Sequence, residues 1–321
     1  MKYTINLLAA ILAVTALGQT GNSTISGSVK DPAAAAIPGA KIKITNVESG
    51  ATIESVSNEA GLYRVGTLLP GNYRVTVDAD GFSTVARGPI TVEVGQVVAI
   101  DLTLPVGQQS QTVEVSEAAP LVESQTSNVA QVVNRQILAG LPLPNRAAAS
   151  LAALAPGVVM IDTGAGTAEN YPVFSVAGGR ARNQSFTLDG GNVSNAVGLT
   201  RPQQLTTLPV DAMQEFRVIA NTYSAEYGHS TGGIVTMSTR SGTNQFHGSL
   251  FESLQNNVFN ARNFFAAKKA PVRLNQYGGT FGGPIRKDKT HFFVTWEETR
   301  QLNGFDTTST VPTVLNRNGD F

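Results

Sequence analysis

The sequence EYGHSTGGIVTMSTRSG, residues 226–242, contains the pattern G-x-S-x-G around Ser230, which marks the nucleophile of many serine hydrolases. In such a hydrolase the serine lies between a strand and a helix, so that its hydroxyl is exposed beside backbone amides. Here two glycines and the β-branched alternation of residues 234–238 follow Ser230, and this pattern predicts a strand. We therefore interpret the stretch as a structural turn that leads into a strand.

A catalytic triad would also need an acidic residue and then a histidine after the serine. Asp288 and His291 stand in that order, but both flank one short polar turn, and nothing in the sequence joins them to Ser230. A secreted serine hydrolase that uses Ser230 is kept as an alternative, which labelling with a fluorophosphonate would test.

The composition narrows the classes of function. The chain has 321 residues, enough for two or three domains, and its formal net charge is zero with 14% charged residues. It has no basic stripe, so nucleic acid is not expected as a partner. The absence of cysteine excludes disulfides and thiolate metal sites, and it suits an exported protein. His229, His247 and His291 lack the spacing of metal ligands, so we predict no metal and no cofactor.

The first residues have the pattern of a secretory signal peptide. Lys2 supplies a positive charge, an apolar run follows from Leu7 to Leu17, and Ala16 and Gly18 are the small residues that precede a cleavage site. We therefore assign residues 1–18 to a signal peptide. No other stretch is long and apolar enough to predict a transmembrane helix.

Residues 22–106 contain seven short segments in which apolar and polar residues alternate, separated by turn signals at intervals of roughly ten residues. This pattern predicts a small β-sandwich. The segment resembles the carboxypeptidase regulatory-like, or transthyretin-like, family, whose motif residues are turn formers and core residues without metal ligands. The matching residues are Gly27, Val29, Asp31, Ile37, Pro38, Gly39, Ala40, Gly61, Tyr63, Leu69, Pro70, Gly71, Tyr73, Gly81 and Phe82.

Residues 107–115 are predicted to be a linker, and residues 116–243 mix helical and strand patterns. Two segments favour helices that end at Gly140 and Gly157, each close to a proline. Four segments have the alternation of strands. The region is therefore predicted to be an α+β domain. The two helical segments are 129–142 and 145–157, and the four strand segments are 172–180, 184–191, 214–221 and 232–240.

Five motifs follow one another in this region: 177–190, Met213–Val218, Ala225–Gly228, Gly232–Val235 and Thr239–Gly242. Their order resembles the plug domain of TonB-dependent outer-membrane receptors. Arg240 stands where the family usually has lysine, and Asn221 stands where many members have glycine. The resemblance implies a structural motif in which glycines let a plug strand turn closely against a barrel wall. A glycine-rich turn in an unrelated β domain is the alternative. The residues of the implied motif are Tyr227, Gly228, Gly232, Gly233, Arg240 and Gly242.

Residues 244–321 contain three longer alternating segments, which are typical of outer-membrane β-barrel strands. In the last of them, Phe292, Val294 and Trp296 are predicted to face lipid, while Thr295 and Glu297 face the lumen. A short polar turn is predicted over 283–290. Three or four crossings cannot close a barrel, so we expect the N-terminal part of a longer receptor, either a shortened gene product or an expressed segment.

The predicted fold class is therefore mainly β. It comprises a transthyretin-like β-sandwich (22–106), a linker (107–115), an α+β plug domain (116–243) and the first strands of an incomplete outer-membrane β-barrel (244–321). The resemblance implies a receptor in the outer membrane, with the plug and the sandwich on its periplasmic side and lipid around the barrel.

Apolar and polar residues alternate over residues 111–115, which lie between a polar linker and the predicted plug. The resemblance implies a TonB box at this place, which the TonB complex of the inner membrane grips as an added strand to supply force. A last strand of the sandwich or of the plug would give the same pattern, so both interpretations stay open. The residues concerned are Gln111, Thr112, Val113, Glu114 and Val115.

The ligand is left open by the sequence. An N-terminal sandwich is common among Oar-like and polymer-importing receptors, which favours an oligosaccharide or a peptide by analogy, with iron siderophores and cobalamin as other options. The competing hypothesis is a secreted β-domain protein for interaction or adhesion. In that case residues 244–301 would not form a membrane-compatible sheet.

Overall fold

The computed structural model describes residues 23–107, 112–115, 129–140, 146, 152–161, 173–180, 183–193, 208–223, 227, 230–262, 264, 269, 271–304 and 311–319. The predicted signal peptide, Gln111 and Gly228 lie outside these residues. The described part is mainly β, as predicted. Its strands are β1 Ser23–Lys30, β2 Lys41–Asn46, β3 Thr52–Val56, β4 Leu62–Leu68, β5 Gly71–Asp78, β6 Thr84–Val92, β7 Val97–Ala99, β8 Leu102–Thr103, β9 Thr112–Val115, β10 Val129–Val133, β11 Val158–Ile161, β12 Val173–Val176, β13 Ser185–Leu188, β14 Gly191–Asn192, β15 Met213–Asn221, β16 Ile234–Thr239, β17 His247–Asn256, β18 Val272–Arg286 and β19 Thr290–Asn303; its helices are α1 Arg135–Gly140, a 3₁₀ turn Val210–Ala212 and α2 Val314–Arg317.

The N-terminal part is a sandwich of two sheets. One sheet has the strand order β3-β2-β5-β6-β9, and the other has the order β4-β1-β7 with β8 also paired to β1. The alternation predicted for β5 is confirmed, because Tyr73, Val75 and Val77 are buried while Arg74 is exposed. Both sheets contribute to one hydrophobic core, which includes Ile25, Val29, Ile42, Ile44, Tyr63, Val65, Val75, Val77, Val98, Ile100 and Leu104.

The seventh predicted strand, residues 96–106, is divided into β7 and β8. Both pair in parallel with β1, at residues 24–26 and 29–30. Between these two ladders, Asp101 Oδ1 accepts hydrogen bonds from the backbone N–H of Ser28 at 2.8 Å and from its hydroxyl at 2.7 Å. A side-chain carboxylate thus takes the place of a backbone acceptor, which an alternation pattern does not reveal.

Gly27 lies at the closest approach between β1 and the loop after β7. A Cβ atom at this position would overlap the carbonyl oxygen of Ile100, and that oxygen also accepts a hydrogen bond from the Tyr63 hydroxyl at 2.8 Å. Backbone and a bonded ring therefore leave no room for a side chain here.

We expect Gly27→Ala to lower the free energy of unfolding of the sandwich by about 3 kcal/mol, because the backbone must shift to admit the methyl group. Hydrogen exchange of the β1 and β7 amides measures this loss. Gly66→Ala on β4 is the matched control, since its Cβ atom would meet Thr24 Oγ1 at an ordinary 3.6 Å. Equal loss of protection in both variants would contradict the prediction.

The central part is built on a sheet with the order β10-β15-β16-β13-β14, beside the antiparallel pair β11-β12. The four predicted strands of this region are confirmed as β12, β13, β15 and β16. The parallel pairing of β13 with β16 joins segments about fifty residues apart in sequence, with Ser185 opposite Ile234 and Leu188 opposite Met237. The buried core includes Val133, Leu138, Phe174, Val176, Phe186, Phe216, Val218, Val235 and Met237.

The helix predicted over 129–142 is wrong in its first half. Residues Val129–Val133 form β10, which pairs antiparallel with β15, and α1 begins only at Arg135. Asn134 marks the change because its Oδ1 accepts the N–H of Ile137 at 3.2 Å, as a helix N-cap does. β-Branched valines before this cap favour a sheet. Of the second predicted helix, 145–157, the structure describes residues 146 and 152–157, and residues 152–154 form a 3₁₀ turn.

The C-terminal part is an antiparallel sheet in the order β17-β18-β19. The turn predicted over 283–290 is shorter, because β18 continues to Arg286, which pairs with Thr290. Gly283 lies in this strand opposite Phe292, and the ring of Phe246 fills its side-chain space, so that a Cβ atom there would lie 2.8 Å from Phe246 Cε1.

One face of this sheet is apolar and exposed. Leu250 on β17 is 91% exposed, and Val294 and Trp296 on β19 are 59% and 56% exposed, which confirms the outward side predicted for these two residues of β19, while Phe292 is half-buried. Their neighbours Ser249 and Glu297 lie on the other face, where Ser249 Oγ is 2.8 Å from Thr280 Oγ1. Within the described residues, no helix is both long and apolar enough to cross a membrane.

Candidate functional site

The glycines of the opening stretch lie where two segments of the central domain cross. The N–H groups of Thr231 and Gly232 donate to the carbonyl oxygen of Asn183 at 3.2 and 2.8 Å. A Cβ atom on Gly232 would lie 3.0 Å from that oxygen, and one on Gly233 would lie 2.6 Å from Cβ of the fully buried Val176. The pair of glycines therefore permits a backbone approach that no larger residue allows.

Ser230 takes part in the same crossing. Its hydroxyl donates to the carbonyl oxygens of Asn183 at 2.7 Å and Gly233 at 3.1 Å, and its own carbonyl accepts from the Tyr223 hydroxyl at 2.8 Å. These bonds hold the hydroxyl against backbone acceptors, as the structural interpretation of the stretch requires. Sequence reasoning named Tyr227 as the packing partner and missed Tyr223; the predicted role of Tyr227 stays a prediction.

Arg240 and Gly242 lie where the plug chain meets the C-terminal sheet. The Arg240 guanidinium stands 4.8 Å from the ring centroid of Phe293, and its Nη1 donates to the Asp211 carbonyl oxygen at 3.3 Å. A Cβ atom on Gly242 would lie 2.8 Å from the carbonyl oxygen of Gly283. Both residues thus connect the central domain to the inner face of β18 and β19.

A cluster of charges joins the same two sheets. Asp211 forms an ion pair with Arg146 and lies 3.6 Å from Arg135. Arg146 Nε is 3.9 Å from Glu297 Oε2 of β19, and its guanidinium lies 3.7 Å from the ring centroid of Phe251 on β17. One arginine of the central domain therefore contacts an acid of its own domain and two residues of the neighbouring sheet.

The sandwich contacts the central domain through a buried carboxylate. Glu215 on β15 is 7% exposed and accepts the N–H of Val94 in the turn after β6. Burial raises the pKa of Glu215 to about 7; the bond from Val94 and the charge of Arg217 act against this rise, and the charge of Glu93 adds to it.

A second contact joins the sandwich to the C-terminal sheet. The N–H of Asn244 donates to the Glu48 carbonyl oxygen at 3.0 Å. The Asn244 amide exchanges two hydrogen bonds with Asp288, at 2.6 and 2.8 Å, in the turn between β18 and β19. A cavity of about 360 Å³ lies between the three parts of the chain, and Tyr73, Glu48, Gln214, Arg240 and His247 are among its lining residues.

The candidate TonB box lies at the edge of the sandwich. Thr112–Val115 form β9, which pairs in parallel with β6. The open question between a box and a last sandwich strand is not tested by this pairing, since a box is itself expected to act as a strand. Among the described residues, no group of three or more His, Cys, Asp or Glu side chains could hold a metal ion.

We expect the contact between sandwich and plug to depend on pH. The pKa of Glu215 in the packed state, about 7, exceeds the ordinary value of 4.5, so the protonated form stabilises the contact. This stabilisation is fully present below about pH 4.5 and is lost, by roughly 3 kcal/mol, as the pH rises through about 7. Hydrogen exchange of the Val94 amide between pH 5 and pH 8, corrected for intrinsic rates, measures it.

Glu215→Gln should remove this pH dependence, because glutamine stays neutral throughout. Glu59→Gln, on an exposed turn of the sandwich, is the matched control and should leave the dependence unchanged. If the wild-type contact is as stable at pH 8 as at pH 5, Glu215 is not the titrating group.

Three family models match consecutive parts of the chain. The carboxypeptidase regulatory-like domain matches residues 24–105, the TonB-dependent receptor plug domain matches residues 109–235, and the outer membrane beta barrel domain matches residues 238–321. The TonB-dependent transporter Oar of Myxococcus xanthus is 27% identical over 310 residues, which cover 88% of this chain and 28% of Oar.

Two solved structures have a similar fold over part of the chain. The siderophore receptor PirA of Acinetobacter baumannii is 20% identical with a TM-score of 0.41, covering 54% of this chain and 24% of PirA. The ferric enterobactin receptor PfeA of Pseudomonas aeruginosa is 18% identical with a TM-score of 0.43, covering 56% of this chain and 26% of PfeA.

The chain thus spans about a quarter of the length of these relatives. The three matches follow the order in which the sandwich, the central domain and the two-faced sheet occur along the chain. From these matches and the Oar relative, the chain belongs to the Oar-like TonB-dependent receptors of the outer membrane, and it carries a carboxypeptidase regulatory-like domain before its plug.

Proposed function

We propose that the receptor of which these residues form a part binds a ligand and imports it across the outer membrane, with the plug as a gate in the barrel and with force from TonB. The observation that carries the proposal is the contact of Arg146 with Glu297 and Phe251 on the inner face of a sheet whose outer face is apolar. A domain held by charges inside a membrane wall both closes a passage and can be displaced from it.

The charges suit a gate because they attach the plug to the barrel sheet without a covalent bond. Arg146 is 20% exposed and Glu297 15%, so their attraction is little screened by water. Among the residues that the structure describes, Arg146 Nε and Glu297 Oε2 are buried without a hydrogen-bond partner. Removing Glu297 leaves Arg146 paired with Asp211 alone, so the plug loses its charged neighbour on the barrel sheet and its seat is weakened.

Cargo is proposed by analogy with Oar-like receptors that carry the same N-terminal domain, as an oligosaccharide or a peptide. We assign no enzymatic step to the chain. The hydroxyl of Ser230 is engaged by two backbone carbonyls, and the proposal needs it only for the crossing of the plug segments.

We expect Glu297→Gln in the full-length receptor to loosen the plug by about 1 kcal/mol, because Arg146 loses a charged neighbour on the barrel. Conductance in planar bilayers under increasing urea measures how readily the plug leaves the pore. Glu298→Gln is the matched control, since Glu298 is the next residue on the same strand and pairs with the exposed Arg300 at 2.6 Å. If both variants begin to conduct at the same urea concentration, the plug is not held by Glu297.

We expect Val113→Pro in the full-length receptor to abolish uptake and to weaken binding of the TonB C-terminal domain at least about tenfold, while ligand binding is retained. Proline removes the N–H that a paired strand needs and restricts the backbone of the segment. Val113→Ala retains that N–H and serves as the control. Normal uptake by the proline variant would place the TonB box elsewhere.

A further inference from the structure

The candidate TonB box is an edge strand of a folded domain in this structure. Its register with β6 is Thr84 opposite Thr112 through Arg87 opposite Val115, and β9 is the terminal strand of the order β3-β2-β5-β6-β9. Within the part of the chain that the structure describes, the second edge of β9 pairs with no other strand. That edge presents backbone N–H and C=O groups in extended geometry, which is the template for adding a strand.

Pairing with β6 lowers the entropy that the segment loses when a partner strand binds it. Ordering a free segment costs about 1–2 kcal/mol of backbone entropy per residue, and a strand already fixed on β6 has lost most of that freedom before the partner arrives. If the segment had to leave β6 first, the partner would instead have to replace the existing ladder. Addition to the second edge avoids this loss and keeps the sandwich attached.

The sandwich is in turn attached to the parts that close the pore. It meets the plug where Glu215 accepts the N–H of Val94, and it meets the barrel sheet where Asn244 donates to the Glu48 carbonyl oxygen at 3.0 Å. Force on β9 therefore reaches β6 through the ladder, and it reaches these two contacts through the sandwich, in addition to the covalent path along the chain to β10.

We propose that the sandwich presents residues 112–115 as a preformed edge strand, that the TonB C-terminal domain adds its own strand to the second edge, and that the sandwich is drawn off the plug and barrel together with the box. The inference rests on the proposed function, in that TonB is the partner. It differs from capture of a free box because β6 and β9 stay paired while force is applied.

The first test clamps the ladder. The natural chain has no cysteine, and Ala86 lies opposite Glu114, so Ala86→Cys with Glu114→Cys joins β6 to β9 by one disulfide at a spacing that strand neighbours provide. In full-length receptor, the oxidised and reduced forms of this one variant should bind the TonB C-terminal domain with dissociation constants within about twofold. A loss of at least about tenfold on oxidation, restored by dithiothreitol, would overturn the proposal, because the box must then leave β6.

The second test clamps the sandwich to the barrel. Glu48→Cys with Asn244→Cys bridges the backbone contact between them. Receptor in lipid vesicles is pulled by the TonB C-terminal domain on a force-microscope tip, which needs no ligand. The reduced form should lengthen before rupture, whereas the oxidised form should rupture without lengthening. Equal lengthening in both forms would show that the sandwich stays in place, and would also overturn the proposal.

The two failures can be told apart. If reduced receptor with the natural residues 111–115 does not bind the TonB C-terminal domain at all, the proposed function fails at its partner. Suppose instead that it binds and lengthens. If the β6–β9 disulfide then abolishes binding, or the sandwich–barrel disulfide leaves the lengthening unchanged, TonB is the partner and only the presentation by the sandwich is wrong.

Discussion

The position of the plug against the barrel sheet depends on Arg146, which lies between an acid of the plug and an acid of the barrel sheet. Asp211 holds it within the plug, and Glu297 with the ring of Phe251 receives it on β19 and β17. A buried arginine is stable only where its charge is compensated, so the plug fits one inner surface and not another. The same sheet turns Leu250, Val294 and Trp296 outward, as lipid requires of the opposite face. The alternation of side chains along the strands thus places the apolar residues on one face of the sheet and the residues that contact Arg146 on the other.

A second set of contacts gives the sandwich a mechanical place in the receptor. Its β2–β3 hairpin meets Asn244 and the turn at Asp288, and its β6–β7 turn meets Glu215 of the plug. These contacts consist of a few hydrogen bonds, each with a modest net contribution, so they hold the domain in register but yield before the hydrophobic cores do. A domain attached in this way can move as a unit while both cores stay folded.

Local patterns in the sequence predicted most of the strands. Alternation predicted β5 and β19 because one face of β5 is buried and one face of β19 is apolar and exposed, whereas β15 and β16 are buried on both faces and were indicated by their apolar and β-branched residues. The order of motifs indicated a plug before any contact was known. The helix predicted over 129–142 was half wrong because Asn134 stops a valine-rich strand and caps the helix that follows, and the partner of that strand lies some eighty residues away. Periodicity in a short window cannot identify such a partner.

The contacts that define the site are harder to predict from sequence, because their partners are also far apart along the chain. Arg146 and Asp211 are 65 residues apart, and Glu215 and Val94 are 121 apart. Each residue is ordinary in its local context, and only the fold makes Glu215 a buried carboxylate. The glycines were easier to find, since Gly232 and Gly233 form a pair before a β-branched run, but their neighbours Val176 and Asn183 had no signal of their own.

The two interpretations of residues 111–115 are compatible in physical terms. A strand has two edges, and the pairing of β9 with β6 engages one of them. A segment that completes the sandwich on one side can therefore be a recognition strand on the other, and its alternating sequence serves both ladders equally. The sandwich then gives the box a fixed direction, parallel to β6, at one edge of its sheet. What distinguishes this arrangement from a free box is the path of force, because load on β9 also passes through β6 to the contacts of the sandwich.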